Sequence, residues 1–398
     1  MNLKSGLEVF ASGASLDWES PENIYFLNPR MPAEQIRAQT ELLEKVAGSF
    51  SSTLFLLTSG TTAGSVGSFK WVALPKKAFL KSAEEVNRAL DSSPQNKDRW
   101  LHLLPDFHVG GLAVRARSFL SGASALRLDR WGVKEAIDSI SQNDVSLLTL
   151  VPAQIFDLCQ ANQVSPPSVR TALVGGGALS PALYRRAVEL GWPVRLTYAM
   201  TEACSTIALT PLPSVPFDGT VPAFELLPHF EVRSEERLWL KGESLLAAFI
   251  EGNSGAGVHI IDPKIDGWFE TSDRGRVVGR RLELLGRAHD LIKIGGEKVE
   301  MSRLQQILEG VRAQCLISAD CALVPMADER LENVIHLVTD LTLSLEQFER
   351  LRTTFDAQVL PFEKIRQWHR VDQIPRTDLG KLKIQSCLEL LNSAARVL

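Results

Sequence analysis

Two periods of apolar spacing alternate along the first two-thirds of the chain. Short apolar runs have the length of buried strands: "TLFLLT" from Thr53, "WLHLLP" from Trp100 to Pro105, "VSLLTLVP" from Val145 and "PVRLTYAM" from Pro193. Between them lie segments with helical spacing. From Lys77 to Leu90, the residues Phe79, Leu80, Ala83, Val86 and Leu90 share one face. "VKEAIDSISQ" from Val133 and "ALYRRAVELG" from Ala182 repeat the pattern, the latter opening on a capping Ser180, with Pro181 in its first turn, and closing at Gly191. Strands alternating with helices predict an α/β fold with a largely parallel sheet.

After about Thr210 the texture changes. Pro and Gly become frequent, and short β-like pieces follow, "RLWLKG", "LLAAFI" and "GRVVGRRLELLG", which predict an antiparallel, barrel-like subdomain. From Leu291 the pattern is again mixed: a helix over Ser302–Leu308, strands "CALVP" and "VIHLVT", a helix over Leu345–Val359 and a short tail. A break near Gly286–Asp290 divides the chain into a large unit, residues 1–288, and a small α+β unit, residues 289–398. The total of 398 residues is too long for one ordinary core, which fits that division.

Composition mainly excludes. A net charge of -4 gives no global positive field for nucleic acid or a membrane surface. The five cysteines (Cys159, Cys204, Cys315, Cys321 and Cys387) have no metal-knuckle spacing and read as buried or free thiols of a reducing compartment. The N-terminus acquires charge at Glu8 and lacks the apolar core of a signal peptide. No window reaches the ~18 uninterrupted apolar residues of a membrane span. The expectation is a cytoplasmic protein with small-molecule partners. Oligomeric state is unreadable, and a homodimer stays open.

The strand "TLFLLT" feeds into "TSGTTAGSVGSFKW", Thr58 to Trp71. Such a loop can turn backbone N–H groups inward around phosphate, with hydroxyls as further donors and Lys70 as a cation. It is not a Walker loop, because no Gly-Lys-Ser/Thr occurs. Taken alone, it could equally be a surface linker.

Further stretches follow in order: "LPDFHVGGL" (Leu104 to Leu112), "VGGGALS" (Val174 to Ser180), "YAMTE" (Tyr198 to Glu202), "DGWFETSD" (Asp266 to Asp273), "GRAHDLIKIGGEKVE" (Gly286 to Glu300) and "PRTDLGKL" (Pro375 to Leu382). With the loop, this ordered series resembles the adenylate-forming superfamily of acyl-CoA synthetases, luciferases and peptide-synthetase adenylation domains. Within it the chain most resembles the o-succinylbenzoate–CoA ligases of menaquinone biosynthesis, which its short length also fits.

The resemblance implies a two-step reaction. A carboxylate attacks the α-phosphorus of ATP and releases pyrophosphate; the thiol of coenzyme A then displaces AMP. Such a site needs aimed cations and donors more than a covalent nucleophile. By resemblance, Thr58, Ser59, Gly60, Thr61 and Thr62 hold the outer phosphates with Lys70. Glu202 ligates Mg²⁺ and Thr201 contacts the α-phosphate. Gly175, Gly176 and Gly177 pass along the adenine, and Tyr198 stacks on it. Asp273 binds the ribose hydroxyls with help from Arg287. His108, Gly110, Gly111 and Ala199 line the acyl pocket, His108 at its junction with the nucleotide. Lys381, on a mobile C-terminal domain, bridges the carboxylate and the α-phosphate. That domain is implied to turn about a hinge at His289 and to exchange Lys381 for the loop of Lys293, Gly295 and Gly296, which admits coenzyme A.

Some positions depart from the superfamily pattern. Ala63 precedes Gly64, Ser65 to Phe69 separate that Gly from Lys70, and the usual Pro before the Lys is missing. The hinge position is a His, Ser272 replaces a Gly, and Ala199 replaces another. Arg115 and Arg117 either reach a second carboxylate on the substrate or are surface charges on a helix. Alternatives to the favoured ligase are another aryl- or acyl-CoA synthetase, a carrier-protein-loading adenylating enzyme, and a non-catalytic nucleotide-binding homologue.

Overall fold

The computed structural model describes residues 3–6, 16–58, 69–214, 217–253, 256–287, 291–295, 297–328, 330–377 and 380–394. The α/β alternation is present, but the sheets are mixed rather than largely parallel. In a nine-stranded sheet, Ser124–Arg127, Arg99–His102, Leu147–Leu150, Thr171–Val174 and Val194–Met200 run parallel in that order. Ser205–Leu209, Phe224–Leu226, Arg281–Arg287 and Asp273–Val278 continue it antiparallel. A six-stranded sheet has the order Leu3–Ser5, Asn23–Phe26, Thr53–Thr58, Phe69–Pro75, Ala248–Asn253 and Ala256–Ile261. Its first three strands are parallel and the rest antiparallel.

The expected barrel-like subdomain after Thr210 is corrected by this topology. Its strands are shared among three sheets, and only Phe230–Ser234, Leu238–Gly242, Trp268–Glu270 and Lys264–Ile265 form a small sheet of their own. The apolar run at Leu245–Ile250 instead pairs with Phe69–Pro75, because Phe249 and Ile250 complete cores already begun by the first sheet.

The helices follow their sequence signals closely. Helix Lys76–Ala89 buries Phe79, Ala83 and Val86. Helix Pro181–Glu189 starts where Ser180 Oγ accepts the Leu183 N–H at 3.2 Å, with Pro181 in the first turn. Helix Leu345–Asp356 carries a reciprocal cap between Ser344 and Gln347 and ends short of Val359.

Residues from Ile294 onward pack around a core of their own. Leu304, Leu308 and Val311 of helix Met301–Gln314 meet Leu323, Leu337, Leu351 and Phe355. Its sheet is Cys321–Asp328, Glu332–Thr339 and Ile365–Arg370. The "short tail" is mostly a helix, Ile384–Ala394, with Cys387 and Leu391 buried against Ala322, Val324 and Val338. All five cysteines are buried and free, and burial raises the Cys159 thiol to about 11 and the Cys321 thiol to about 12. Such thiols stay protonated and unreactive. Among the described residues, no helix is long and apolar enough to cross a membrane.

Candidate functional site

Four parallel strands of the large sheet deliver the motifs to one rim. Arg99–His102 runs into "LPDFH", Leu147–Leu150 into Pro152, Thr171–Val174 into Gly175–Gly177, and Val194–Met200 into a 3-10 turn at Thr201–Ala203. The carboxyl ends of such strands are where α/β sheets bind ligands.

The strands flanking the Gly/Ser/Thr loop are antiparallel neighbours, and their register sets Thr58 opposite Lys70. Lys70 therefore returns to the foot of the loop despite the loop's extra length. Ser59, Gly60, Thr61 and Thr62 lie outside the described residues, as does the Thr58 side chain. Lys70 also faces Glu251 on the next strand. Its Nζ lies 3.2 Å from Glu251 Oε1 and 3.3 Å from the Phe249 ring centre. The Thr201–Ala203 turn adjoins the strand of Lys70, and the Glu202 carbonyl accepts the Leu246 N–H at 2.8 Å. After this turn Cys204 (φ 51) and Ser205 (φ 104) both take positive φ. Strain of about 1–3 kcal/mol per residue is typical there and persists only where surroundings impose it.

The Gly175–Gly177 turn favours glycine at two of its positions. Gly176 has φ 79, and a Cβ on Gly175 would stand 2.2 Å from Thr197 Oγ1. Nearby, the Tyr198 hydroxyl donates to Asp273 Oδ2 at 2.9 Å, which fixes the Tyr198 ring at its far end. Both side chains are largely buried. Register sets Asp273 opposite Arg287; the Arg287 side chain is outside the described set.

"LPDFHVGGL" becomes a turn capped by His108, then helix Val109–Ser121. A Cβ at Gly111 would sit 2.2 Å from the Pro105 carbonyl oxygen, so the helix can start against this turn only with Gly there. Asp106, not singled out by sequence, organises the turn. Arg115 donates to both its oxygens, Nε at 2.6 Å and Nη2 at 2.8 Å. His102 Nε2 lies 3.3 Å and Arg127 Nη1 3.4 Å from the same carboxylate. Arg115 is thus engaged within the protein.

Arg117 differs. It is buried, its Nη2 reaches the hydroxyls of Thr206 at 3.1 Å and Ser205 at 3.4 Å, and its Nε has no hydrogen-bond partner among the described residues. Burial lowers its pKa to about 10. Thr206 is the cross-strand partner of Ala199, so this guanidinium lies against the strand beside Ala199. The surface-charge alternative for Arg117 is overturned by that burial.

Burial also holds His102 near 4, against the Asp106 charge that favours its proton. His229 and His336 are held at about 4, chiefly by burial. Each ring is neutral when folded and takes a proton more readily when unfolded. Stability is therefore complete above the ordinary value of 6.5 and lost as pH falls from there toward 4. Urea midpoints are expected to drop across that window, and a flat profile would contradict buried neutral rings.

The described ends of "PRTDLGKL" pair as a hairpin, with Arg376 bridged antiparallel to Leu382; Asp378 and Leu379 lie outside the described residues. Thr377 N donates to the Lys381 carbonyl at 2.8 Å, and Lys381 N to Thr377 Oγ1 at 3.1 Å. A Cβ on Gly380 would lie 3.8 Å from Ala153 Cβ, and one on Gly177 would lie 3.5 Å from Pro152 Cγ. The Lys381 hairpin and the glycine turn thus flank the same helix start. The Arg312 guanidinium, 5.5 Å over the Phe156 ring, joins the C-terminal core to that helix as well. Lys293 and Gly295 lie on a separate hairpin, where Gly295 N donates to the Leu331 carbonyl at 2.8 Å and Asn333 Nδ2 to the Lys293 carbonyl at 2.9 Å. Gly296 and His289 lie outside the described residues.

A single carboxylate, Glu202, on a backbone-pinned turn suits Mg²⁺, which takes one or two carboxylates and fills its remaining positions with phosphate oxygens and water.

The profile of a family described as AMP-binding enzyme matches residues 24–229. A 2-succinylbenzoate–CoA ligase of Lactococcus lactis is 26% identical over 338 residues, covering 81% of this chain and 68% of that one. One from Bacillus pumilus is 27% identical over 366 residues, covering 87% and 71%. The fold is that of o-succinylbenzoate CoA synthetase from Bacillus subtilis in complex with its acyl-adenylate intermediate: TM-score 0.75, 20% identity, 97% of this chain and 88% of that one. The same enzyme in complex with ATP and magnesium ion gives a TM-score of 0.72 at 19% identity, covering 96% and 88%.

Proposed function

The chain belongs to the AMP-binding enzyme family, and on that premise we propose that it is an ATP-dependent acid–CoA ligase. It converts o-succinylbenzoate to o-succinylbenzoyl-CoA through an acyl-adenylate, releasing pyrophosphate and then AMP. The observation that carries this reading is that the Lys381 hairpin and the Gly175–Gly177 turn approach the same helix start, at Ala153 and Pro152 respectively. That placement sets the residue before Lys381 near the rim where the nucleotide motifs end.

In this reading residues 1–288 bind the nucleotide and the acid, and residues 289–398 carry the catalytic lysine. Tyr198 and Asp273 hold the nucleoside, the one orienting the other through their hydrogen bond. Lys70 and the loop after Thr58 take the outer phosphates. Thr201 contacts the α-phosphate. Glu202 holds Mg²⁺, which when bound neutralises charge on the phosphate oxygens. His108, Gly110, Gly111 and Ala199 enclose the acid. Arg117 supplies the cation for its second carboxylate, the role for which Arg115 is disfavoured by its pairing with Asp106. Lys381 then lowers the barrier to the encounter of two anions. Lys293, Gly295 and Gly296 receive coenzyme A after the C-terminal unit turns at His289. The names of the two curated relatives support the acid, and the titles of the two solved structures support the acyl-adenylate and the ATP and magnesium.

The test is pyrophosphate release with ATP and Mg²⁺ over o-succinylbenzoate, benzoate, medium-chain fatty acids and no acid, with and without coenzyme A. Release and thioester formation with o-succinylbenzoate alone are expected. Activity with a different acid keeps the chemistry and discards the substrate. Nucleotide binding with no turnover for any acid contradicts the enzyme reading.

A further inference from the structure

We propose that Asp320 is a positioning residue for Lys381, acting through Arg376. The inference rests on the assignment of Lys381 to acyl-adenylate formation. Asp320 stands just before strand Cys321–Asp328, 56 residues from Arg376. Arg376 Nε donates to Asp320 Oδ2 at 2.8 Å and Nη2 to Oδ1 at 2.6 Å, a two-pronged pair that fixes the guanidinium plane. The remaining nitrogen, Nη1, donates to the Gly380 carbonyl at 3.0 Å, and Nη2 also reaches the Cys321 carbonyl at 3.2 Å. One guanidinium therefore ties the residue before Lys381 to the start of a core strand.

Asp320 is itself fixed. Its N–H donates to Asp340 Oδ2 at 2.9 Å, and its carbonyl accepts the Asp340 N–H at 3.1 Å. The hairpin holding Lys381 closes on itself through Thr377, and the Gly380 N–H donates to the Thr377 carbonyl at 2.8 Å. Those bonds set the hairpin's shape. The Arg376 fork sets where that shape sits against the sheet, and through it where an exposed lysine is aimed. Neither Asp320 nor Arg376 is needed to touch ATP. The side chains are about a quarter to a third exposed (Arg376 27%, Asp320 35%), and a two-pronged pair of this kind also contributes to stability. Its further effect is orientation, and a small misplacement of a group acting in a transition state can cost about 10²-fold.

Lys381 serves only the first half-reaction, so the two halves separate a positioning role from a structural one. The full chain is assayed in single turnover for acyl-adenylate formation from ATP and o-succinylbenzoate. It is assayed separately for thioester formation from supplied acyl-adenylate and coenzyme A. Asp320→Asn and Arg376→Gln are each expected to slow the first by about 10- to 100-fold, with KM for ATP little changed. The second should stay within about twofold, and Asp320→Glu should recover part of the loss. An unchanged first half, or equal losses in both halves, would overturn the proposal. Lys381→Ala separates the two claims. If it keeps the first half-reaction, the assignment of Lys381 fails and this inference with it. If it loses that half while the Asp320 and Arg376 variants do not, only the positioning role fails.

Discussion

Lys381→Ala is expected to lower acyl-adenylate formation by about 10²–10³-fold while ATP still binds. The chemistry sets the size of the effect. The attacking carboxylate and the α-phosphate are both anions, and a cation between them acts chiefly in the transition state. Lys381 is exposed and follows Gly380, which lies next to Ala153 at the helix start beside the glycine turn. The loss should therefore appear in the rate of pyrophosphate release and not in the thermal midpoint. Thioester formation from supplied acyl-adenylate should stay near the wild-type rate. A Lys381→Ala enzyme that adenylates normally would transfer the central charge to Lys70.

Arg117→Met is expected to do two opposite things. It removes a buried guanidinium held by hydroxyls rather than by a carboxylate. Removing a buried charge that no carboxylate compensates relieves its desolvation, offset in part by the two hydroxyls that lose this partner, so the thermal midpoint should hold or rise. The same change should cost about 1.5–3 kcal/mol of interaction with a second carboxylate. Selectivity for o-succinylbenzoate over benzoate in kcat/KM would fall by about 10- to 150-fold. Arg115→Met should leave that ratio alone while unsettling the Asp106 turn. Unchanged selectivity in Arg117→Met would reduce Arg117 to a packing residue.

What was legible in the sequence was what local pattern controls. Thr53–Thr58 and Leu147–Leu150 are uninterrupted apolar runs and are strands. The Ser180-Pro181 start reads directly as a helix entry. Ile365–Arg370 was missed because "IRQWHR" offers little apolar alternation; its place is set by parallel pairing with a strand already buried. The β-rich stretch was assigned to one barrel because local pattern marks strands but not their partners. The site shows the same division. The motif residues could be named because the resemblance that implies their roles is carried by short local stretches. The partners that aim them could not: Tyr198 and Asp273 are 75 residues apart, Lys70 finds Glu251 on an adjacent strand far along the chain, and Asp320 carries no local signal for Arg376.

The pairing of Thr58 with Lys70 has an evolutionary corollary. A connection whose two ends are held by cross-strand register can lengthen at low cost, about 0.6 kcal/mol for each doubling. Insertions between these anchors need not shift either of them. Descendant lineages can therefore change the length of this segment while its terminal cation stays in place, provided the phosphate-holding residues next to Thr58 are kept. The spacing from Ala63 to Lys70 is a change of length of the kind that such an anchored connection tolerates.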